Sequence, residues 1–420
     1  MDPDDLGMVQ ETLALLADRL DDVAADLYAE LFATAPQLRG MFPPGMADQR
    51  ARFLAALTTA VAGLADEAAV RPVLARLGRD HRRFGVRPEH YDVFGRALVA
   101  AVGRAAQDVW VPELEAAWRR TYAVVAGEMI AGARDAEARE PAWWRAQIVA
   151  HERRAHDLAV IRLRTDRPYT YEPGQYTAVE TPYRPRTWRT YSFATATPVD
   201  GLLELHVRAV DAGWVSGLLV RRGRVGDELR LGAPAGAMRI EHASQRDVLL
   251  VAGGTGLAPI KAMVTGMARW NTARRVTVMV GARTREDLYD LPALEQLAAA
   301  HPWLSVVPAV SEGVAPRGRR SAGQVDGVET GLLPDVVARR GSWVEHDVVV
   351  SGPPAMTRAT VSRLVTLGVP TERIAYDPPP GTAAPAPGPA QVIDLRRAAG
   401  SPGSHGGHRG HGGHGRRVPG

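Results

Sequence analysis

Three rhythms of apolar and polar positions follow one another along the 420-residue chain, and each predicts a different kind of structure. From residue 1 to about 138 the apolar positions repeat at helical spacing, as in Leu20, Val23, Leu27, Tyr28, Leu31 and Phe32 at i, i+3, i+4 intervals. Turn signals at Pro36, Pro43–Pro44–Gly45, Gly85 and Pro88 divide this stretch, which predicts an all-α domain of several short helices.

Beyond Trp144 the period shortens. The segments AQIVAHERR, LAVIRLRT, TAVET, LLELHVRAV and DELRLGAP are separated by Pro-Gly, Asp-Gly, Ala-Gly and Gly-Asp turns, which predicts an antiparallel β-barrel over residues 139–245. Over residues 246–377 the apolar runs DVLLVAGG, VTVMVGAR, LSVVPAV and DVVVSGPP alternate with helical stretches. That alternation belongs to an α/β domain with a parallel sheet. Residues 378–420, rich in Pro, Gly and His, lack the apolar content for a core and are expected to be disordered.

Composition narrows the chemistry. The absence of cysteine excludes disulfides, thiolate metal sites and cysteine nucleophiles. The formal charge of +4 lies entirely in the tail, where five arginines oppose Asp394, so the folded part gives no sign of a nucleic-acid partner. The best apolar run, residues 55–65, is far too short to span a membrane, and a cytoplasmic monomer is expected. Lys261 is the only lysine among 51 basic residues.

Two histidines compete as metal ligands in DHRRFGVRPEHYDVF. His81 shares a helical face with Leu74, Leu77 and Phe84, whereas His90 falls in the first turn of the next helix and is expected to be exposed. In VLLVAGGTGLAPI, Gly253, Gly254, Thr255 and Gly256 follow an apolar strand and precede a helix containing Pro259. Such a turn lets backbone approach a pyrophosphate. PGQY at 173–176, RTYSFA at 189–194 and SGPPAM at 351–356 frame it.

With this order and spacing, residues 146–377 resemble the ferredoxin-NADP reductase superfamily. The resemblance implies FAD held by Gln175, Tyr176, Arg189, Tyr191, Ser192, Val215, Ser216 and Asp377. It implies NAD(P)H held by the glycine turn, with Gly352, Pro353 and Met356 at the nicotinamide. Arg283 or Arg285 is placed to choose the coenzyme, with a plain solvated charge as the alternative and a lean towards NADH. Ser351 stands where a cysteine is frequent, and Pro379 where an aromatic covers the flavin.

Residues 5–135 similarly resemble the globin domain of flavohaemoglobins. That resemblance implies haem b with His81 as proximal iron ligand, Tyr28 and Gln49 as the distal pair, and Phe42, Phe53 and Leu77 in the pocket. Tyr91 matches a proximal tyrosine, but Ala133 stands at the place of its usual glutamate partner; Glu128, Asp135 or Glu137 would substitute only with a shift of the last helix, and none is aligned. The whole implies electron transfer from NAD(P)H through FAD to haem, and dioxygenation of nitric oxide by O2 to nitrate. Alternatives are a haem-flavin oxidase or reductase acting on peroxide or other acceptors, and an oxygen-binding protein or gas sensor with a self-reducing module. His405, His408, His411 and His414 are expected to belong to a flexible, non-catalytic tail.

Overall fold

The computed structural model describes residues 2–196, 201–210, 213–312, 324–325 and 327–376. Asp377, Pro379 and the tail histidines lie outside the described residues.

Six helices form the first unit: α1 (Pro3–Leu15), α2 (Leu20–Thr34), α3 (Ala47–Gly63), α4 (Glu67–His81), α5 (Pro88–Ala105) and α6 (Pro112–Glu137). Not all are short, as the turn signals had suggested. α5 has 18 residues and α6 has 26, because nothing in α6 after its first residue, Pro112, interrupts the hydrogen-bond ladder. Leu27, Leu31, Leu74, Leu98 and Trp118 make the core, each at most 1% exposed, and truncating one of them is expected to cost about 2–5 kcal/mol.

α4 and α6 lie against each other through missing side chains. A Cβ on Gly78 would collide with the Met129 carbonyl, and one on Gly132 with the backbone of Ala75. α4 begins at Asp66, whose carboxylate accepts from the Ala69 N–H at 3.1 Å. It ends at His81, after which a 3-10 turn runs to Phe84 and Gly85 turns the chain at φ +79°.

The second unit is a six-stranded antiparallel sheet of β1 (Trp144–Ala155), β2 (Leu158–Thr165), β3 (Tyr176–Glu180), β4 (Trp188–Ser192), β5 (Leu202–Arg208) and β6 (Glu228–Leu231), with helix α7 (Trp214–Arg222) between β5 and β6. Its order is β4-β3-β6-β1-β2-β5, and the two end strands meet at one bridge between Phe193 and Leu205. Leu203, Leu205 and Val207 point into the core, so Glu204 and His206 occupy the opposite face of β5.

The third unit holds β7 (Val248–Gly253), α8 (Leu257–Met267), β8 (Val276–Ala282), α9 (Leu291–Ala300), β9 (Leu304–Val310), β10 (Gln324–Val325), β11 (Val328–Thr330), α10 (Leu333–Arg340), β12 (Asp347–Ser351), α11 (Pro354–Thr366) and β13 (Ile374–Tyr376). The sheet order is β10-β11-β9-β8-β7-β12-β13, parallel from β11 to β13. The order reverses beside β7, and it is at the strand carboxyl ends next to such a reversal that open α/β sheets take their ligands. No helix among the described residues is long and apolar enough to cross a membrane.

Candidate functional site

His81 stands at the last turn of α4 and lines a cavity of about 700 Å³ that runs from the helical unit to β4. Its Nδ1 lies 2.7 Å from the Leu77 carbonyl. A carbonyl only accepts, so Nδ1 carries the hydrogen and Nε2 is left as the open acceptor of the ring. Burial also disfavours the imidazolium and moves the His81 pKa below its ordinary value, outweighing the Leu77 contact.

Among the described residues no carboxylate replaces that carbonyl. Glu128 pairs with Arg71 at 3.4 Å, Asp135 and Glu137 are exposed, and Ala133 is half-buried. The Tyr91 hydroxyl is buried and has no partner, while the Tyr122 hydroxyl donates to the Tyr91 carbonyl at 2.7 Å. Burial pushes the Tyr91 hydroxyl up to about 12. His90 corrects the expectation of exposure. It is half-buried, lines the cavity, and its Nδ1 accepts from the Arg87 N–H at 3.2 Å, capping α5 where no Ser, Thr, Asp or Asn is present.

Tyr28 and Gln49 meet on α2 and α3, with Gln49 Nε2 3.3 Å from the Tyr28 hydroxyl. Burial pushes that hydroxyl up to about 12, so it stays protonated and able to donate. The Tyr28 ring sits edge-on to Phe42 at 5.5 Å, Phe53 at 6.1 Å and Phe94 at 6.4 Å, which fixes its direction. The corner carrying Phe42 is tied by Arg39, whose guanidinium donates to the carbonyls of Phe42, Pro43 and Pro44. Leu77 lines the same cavity, so all six expected helical-unit residues other than Tyr91 converge on it with their side chains, and Tyr91 joins from α5.

At the mouth, Arg83 lies over the rings of Phe84 at 5.0 Å and of Trp188 at 5.2 Å, joining the end of α4 to β4. Its Nε is buried without a partner, and no carboxylate among the described residues forms an ion pair with it. Arg52 lines the same mouth, where burial and the neighbouring Arg189 work against its charge. Arg189 itself donates to the Trp188 carbonyl and stands 3.9 Å from Asp48 of α3.

The expected flavin residues divide into two groups. Arg189, Tyr191 and Ser192 lie along β4, with Tyr176 paired opposite Ser192 on β3. Gln175 is engaged in its own turn, accepting from the Glu172 N–H at 2.9 Å, and so acts in the loop's shape. Val215 and Ser216 start α7, whose first-turn N–H groups suit a phosphate. Val215 packs its side chain into the core, and the Ser216 hydroxyl bridges Val210 and Gly213 at 3.4 Å.

The glycine turn closes onto SGPPAM. Gly254 has φ +54°, a Cβ on Gly256 would strike the Ser351 carbonyl, and one on Gly253 would lie 2.8 Å from Met356 Cε. Gly253, Gly256, Gly352, Pro353 and Met356 therefore pack closely together at the carboxyl ends of β7 and β12, with Thr255 in the same turn and Pro259 buried on α8. Arg283 and Arg285 are exposed beyond β8.

Three family models match in the same order: globin over residues 25–129, an oxidoreductase FAD-binding domain over 145–240 and an oxidoreductase NAD-binding domain over 250–362. A flavohemoprotein of Deinococcus radiodurans is 31% identical over 298 residues, covering 67% of this chain and 73% of that protein. The chain belongs to the flavohaemoglobin family. Its cofactors are accordingly haem, FAD and a nicotinamide dinucleotide.

The reductase half also resembles the ferredoxin–NAD(P)+ reductase component of the naphthalene 1,2-dioxygenase system of Pseudomonas putida. That protein is 32% identical over 230 residues, 55% of this chain and 67% of that one; a Ralstonia counterpart is covered over 64% of its length. A solved flavohemoglobin of Malassezia yamatoensis superposes over 90% of this chain and 98% of its own, with a TM-score of 0.74 at 18% identity, which speaks to the fold.

The cavity suits haem on its own chemistry: apolar walls, one imidazole nitrogen with a free lone pair, and at one end the guanidinium of Arg83, its Nε buried, with the exposed Arg52 beside it for the two carboxylates. Sequence reasoning missed Arg83, Arg52, Trp188 and Phe94. Phe94 lies three residues past Tyr91 on α5, a spacing that carries the signal. The arginines carry none, since arginine is almost the whole of this chain's cationic content.

Proposed function

We propose that this flavohaemoglobin is a nitric oxide dioxygenase in which NAD(P)H reduces FAD, FAD reduces haem, and O2 with nitric oxide gives nitrate. When bound, FAD divides a hydride's two electrons into single ones, and haem supplies an iron that takes diatomic gases. His81 Nε2 would hold the iron. Tyr28 would donate its hydroxyl hydrogen to the gas ligand, held in direction by its aromatic neighbours and by Gln49. Arg83 and Arg52 would take the haem carboxylates. Arg189, Tyr191 and Ser192 with the start of α7 would hold FAD, and the glycine turn with Gly352, Pro353 and Met356 the nicotinamide dinucleotide.

The observation that carries this reading is the single cavity linking His81 and the Tyr28–Gln49 pair to Trp188, Arg189 and Thr190 of β4. Electrons and gas would then meet in one enclosed space. The test is aerobic consumption of nitric oxide by the purified holoprotein with NADH, and separately NADPH. Sustained consumption with equimolar nitrate is expected, and a single stoichiometric burst would sink the proposal.

One observation favours a second reading. The peptide carbonyl on His81 donates less electron density than a carboxylate would, which suits an oxygen-holding or sensing haem kept reduced by its own flavin module. The single burst is the outcome that reading expects.

A further inference from the structure

The sole lysine of the chain lies outside every motif discussed so far. Lys261 sits on α8, five residues beyond Gly256 of the glycine turn, and is largely buried. Its Nζ lies 2.9 Å from Glu204 Oε1 of β5 and 2.7 Å from Asp290 Oδ2, just before α9. The other Glu204 oxygen accepts from Arg162 Nε at 3.0 Å. His206, its side chain fully buried, reaches Glu204 at 3.1 Å and the Tyr289 hydroxyl at 2.7 Å.

Three of these residues belong to the antiparallel sheet and three to the parallel-sheet unit, so the network is a seam between them. Its formal charges cancel, Lys261 and Arg162 against Glu204 and Asp290. Burial opposes the ionisation of Glu204, but the His206 and Lys261 contacts overcome it and hold the carboxyl far below the ordinary range.

Both ends of the seam lead to the site. The Ala194 N–H, two residues past Ser192, donates to the Glu204 carbonyl at 2.8 Å, and α8 carries the glycine turn at its start. The seam thus ties the backbone beside the flavin strand to the helix that would bind the dinucleotide. In a chain whose other basic side chains, histidines apart, are all arginine, a compact ammonium stands where two carboxylates converge.

We propose that Lys261 is a positioning residue: with Glu204 and Asp290 it holds the dinucleotide-binding helix at the angle that brings the nicotinamide onto the flavin. This rests on the reductase reading above. The step it serves moves a hydride from the dihydronicotinamide C4 to the flavin, oxidising the first by two electrons and reducing the second by two.

The test is anaerobic stopped-flow reduction of FAD by NADH in the full-length holoprotein. Two variants are compared with the parent: K261M, and the triple variant K261M/E204Q/D290N, which leaves no carboxylate stranded and keeps the seam polar. A misplacement of about 1 Å lowers a limiting rate by about 100-fold. Both variants are expected to show that loss, with unchanged half-saturating NADH, FAD content and haem spectrum. K261R is expected not to rescue the rate. A triple variant that folds, holds FAD and is reduced at the parental rate overturns the proposal and leaves the seam a stabilising contact only. A parent protein reduced by neither nicotinamide instead overturns the reductase reading, and the positioning role with it.

Discussion

The imidazole of His81 donates its Nδ1 hydrogen to the Leu77 carbonyl, one helical turn back, at 2.7 Å. The ring is thereby fixed in the tautomer that presents Nε2, but its partner is a neutral peptide. The iron–histidine stretch of the ferrous protein is therefore expected at the low frequency of a neutral imidazole. Ala133→Glu supplies the missing acid and is expected to raise that frequency in resonance Raman spectra, with a change in turnover of about 10-fold or more. A frequency that stays put would show that position 133 does not address the ring.

On the opposite wall, Tyr28→Phe removes the hydroxyl that contacts Gln49. A hydrogen bond to a partly charged ligand contributes about 1.5–3 kcal/mol, so dioxygen is expected to leave about 10- to 100-fold faster. Gln49→Leu is expected to have a smaller effect, since the aromatic neighbours still direct Tyr28. Stopped-flow displacement of bound oxygen by carbon monoxide gives both rates; equal release from Tyr28→Phe and parent protein would remove Tyr28 from the ligand's surroundings.

Alkali should expose the same tyrosines as a group. Burial pushes the hydroxyls of Tyr28 and Tyr91 up to about 12, against an ordinary value of 10.0. Between those values the folded chain keeps protons that the unfolded chain releases, so stability is full below about pH 10 and falls as pH rises towards 12. Each group contributes on the order of 2 kcal/mol to that fall. Tyrosinate absorbance of these residues is expected to appear together with loss of helical circular dichroism. Ionisation completed while the helices stay intact would contradict the burial argument.

Arg83 offers a test of the cavity's charged end. With its guanidinium unpaired and stacked on Trp188, Arg83→Gln is expected to accelerate haem transfer to apomyoglobin by about 10- to 100-fold. Reconstitution with haem dimethyl ester, which lacks the carboxylates, should abolish the difference between variant and parent. A difference that persists with the ester would assign Arg83 to holding the two units together.

Domain order and the place of His81 on an apolar helical face were legible because each rests on a repeating pattern. The face shared by Leu74, Leu77, His81 and Phe84 needs only the helical period, and the strand runs need only alternation. His90 was misread because its use as a cap depends on a backbone N–H at Arg87, which no side-chain pattern announces. Gln175 also shapes its own turn through the Glu172 N–H, a second use that the motif alone does not announce. Arg83, Glu204 and Lys261 were not legible at all. Each has a partner in another unit, Trp188 for Arg83 and each other for Glu204 and Lys261, and a contact between distant segments leaves no local period to read.

The pair Gly78 and Gly132 would give the proposed iron site an adjustable depth. α4 reaches α6 only because two side chains are absent, and His81 lies less than one turn beyond Gly78. A single methyl group at either glycine would push the end of α4, and the imidazole with it, away from α6. Gas affinity in this chain is thus open to tuning from two positions that never touch the gas, by mutations that would look from the cavity like no change at all.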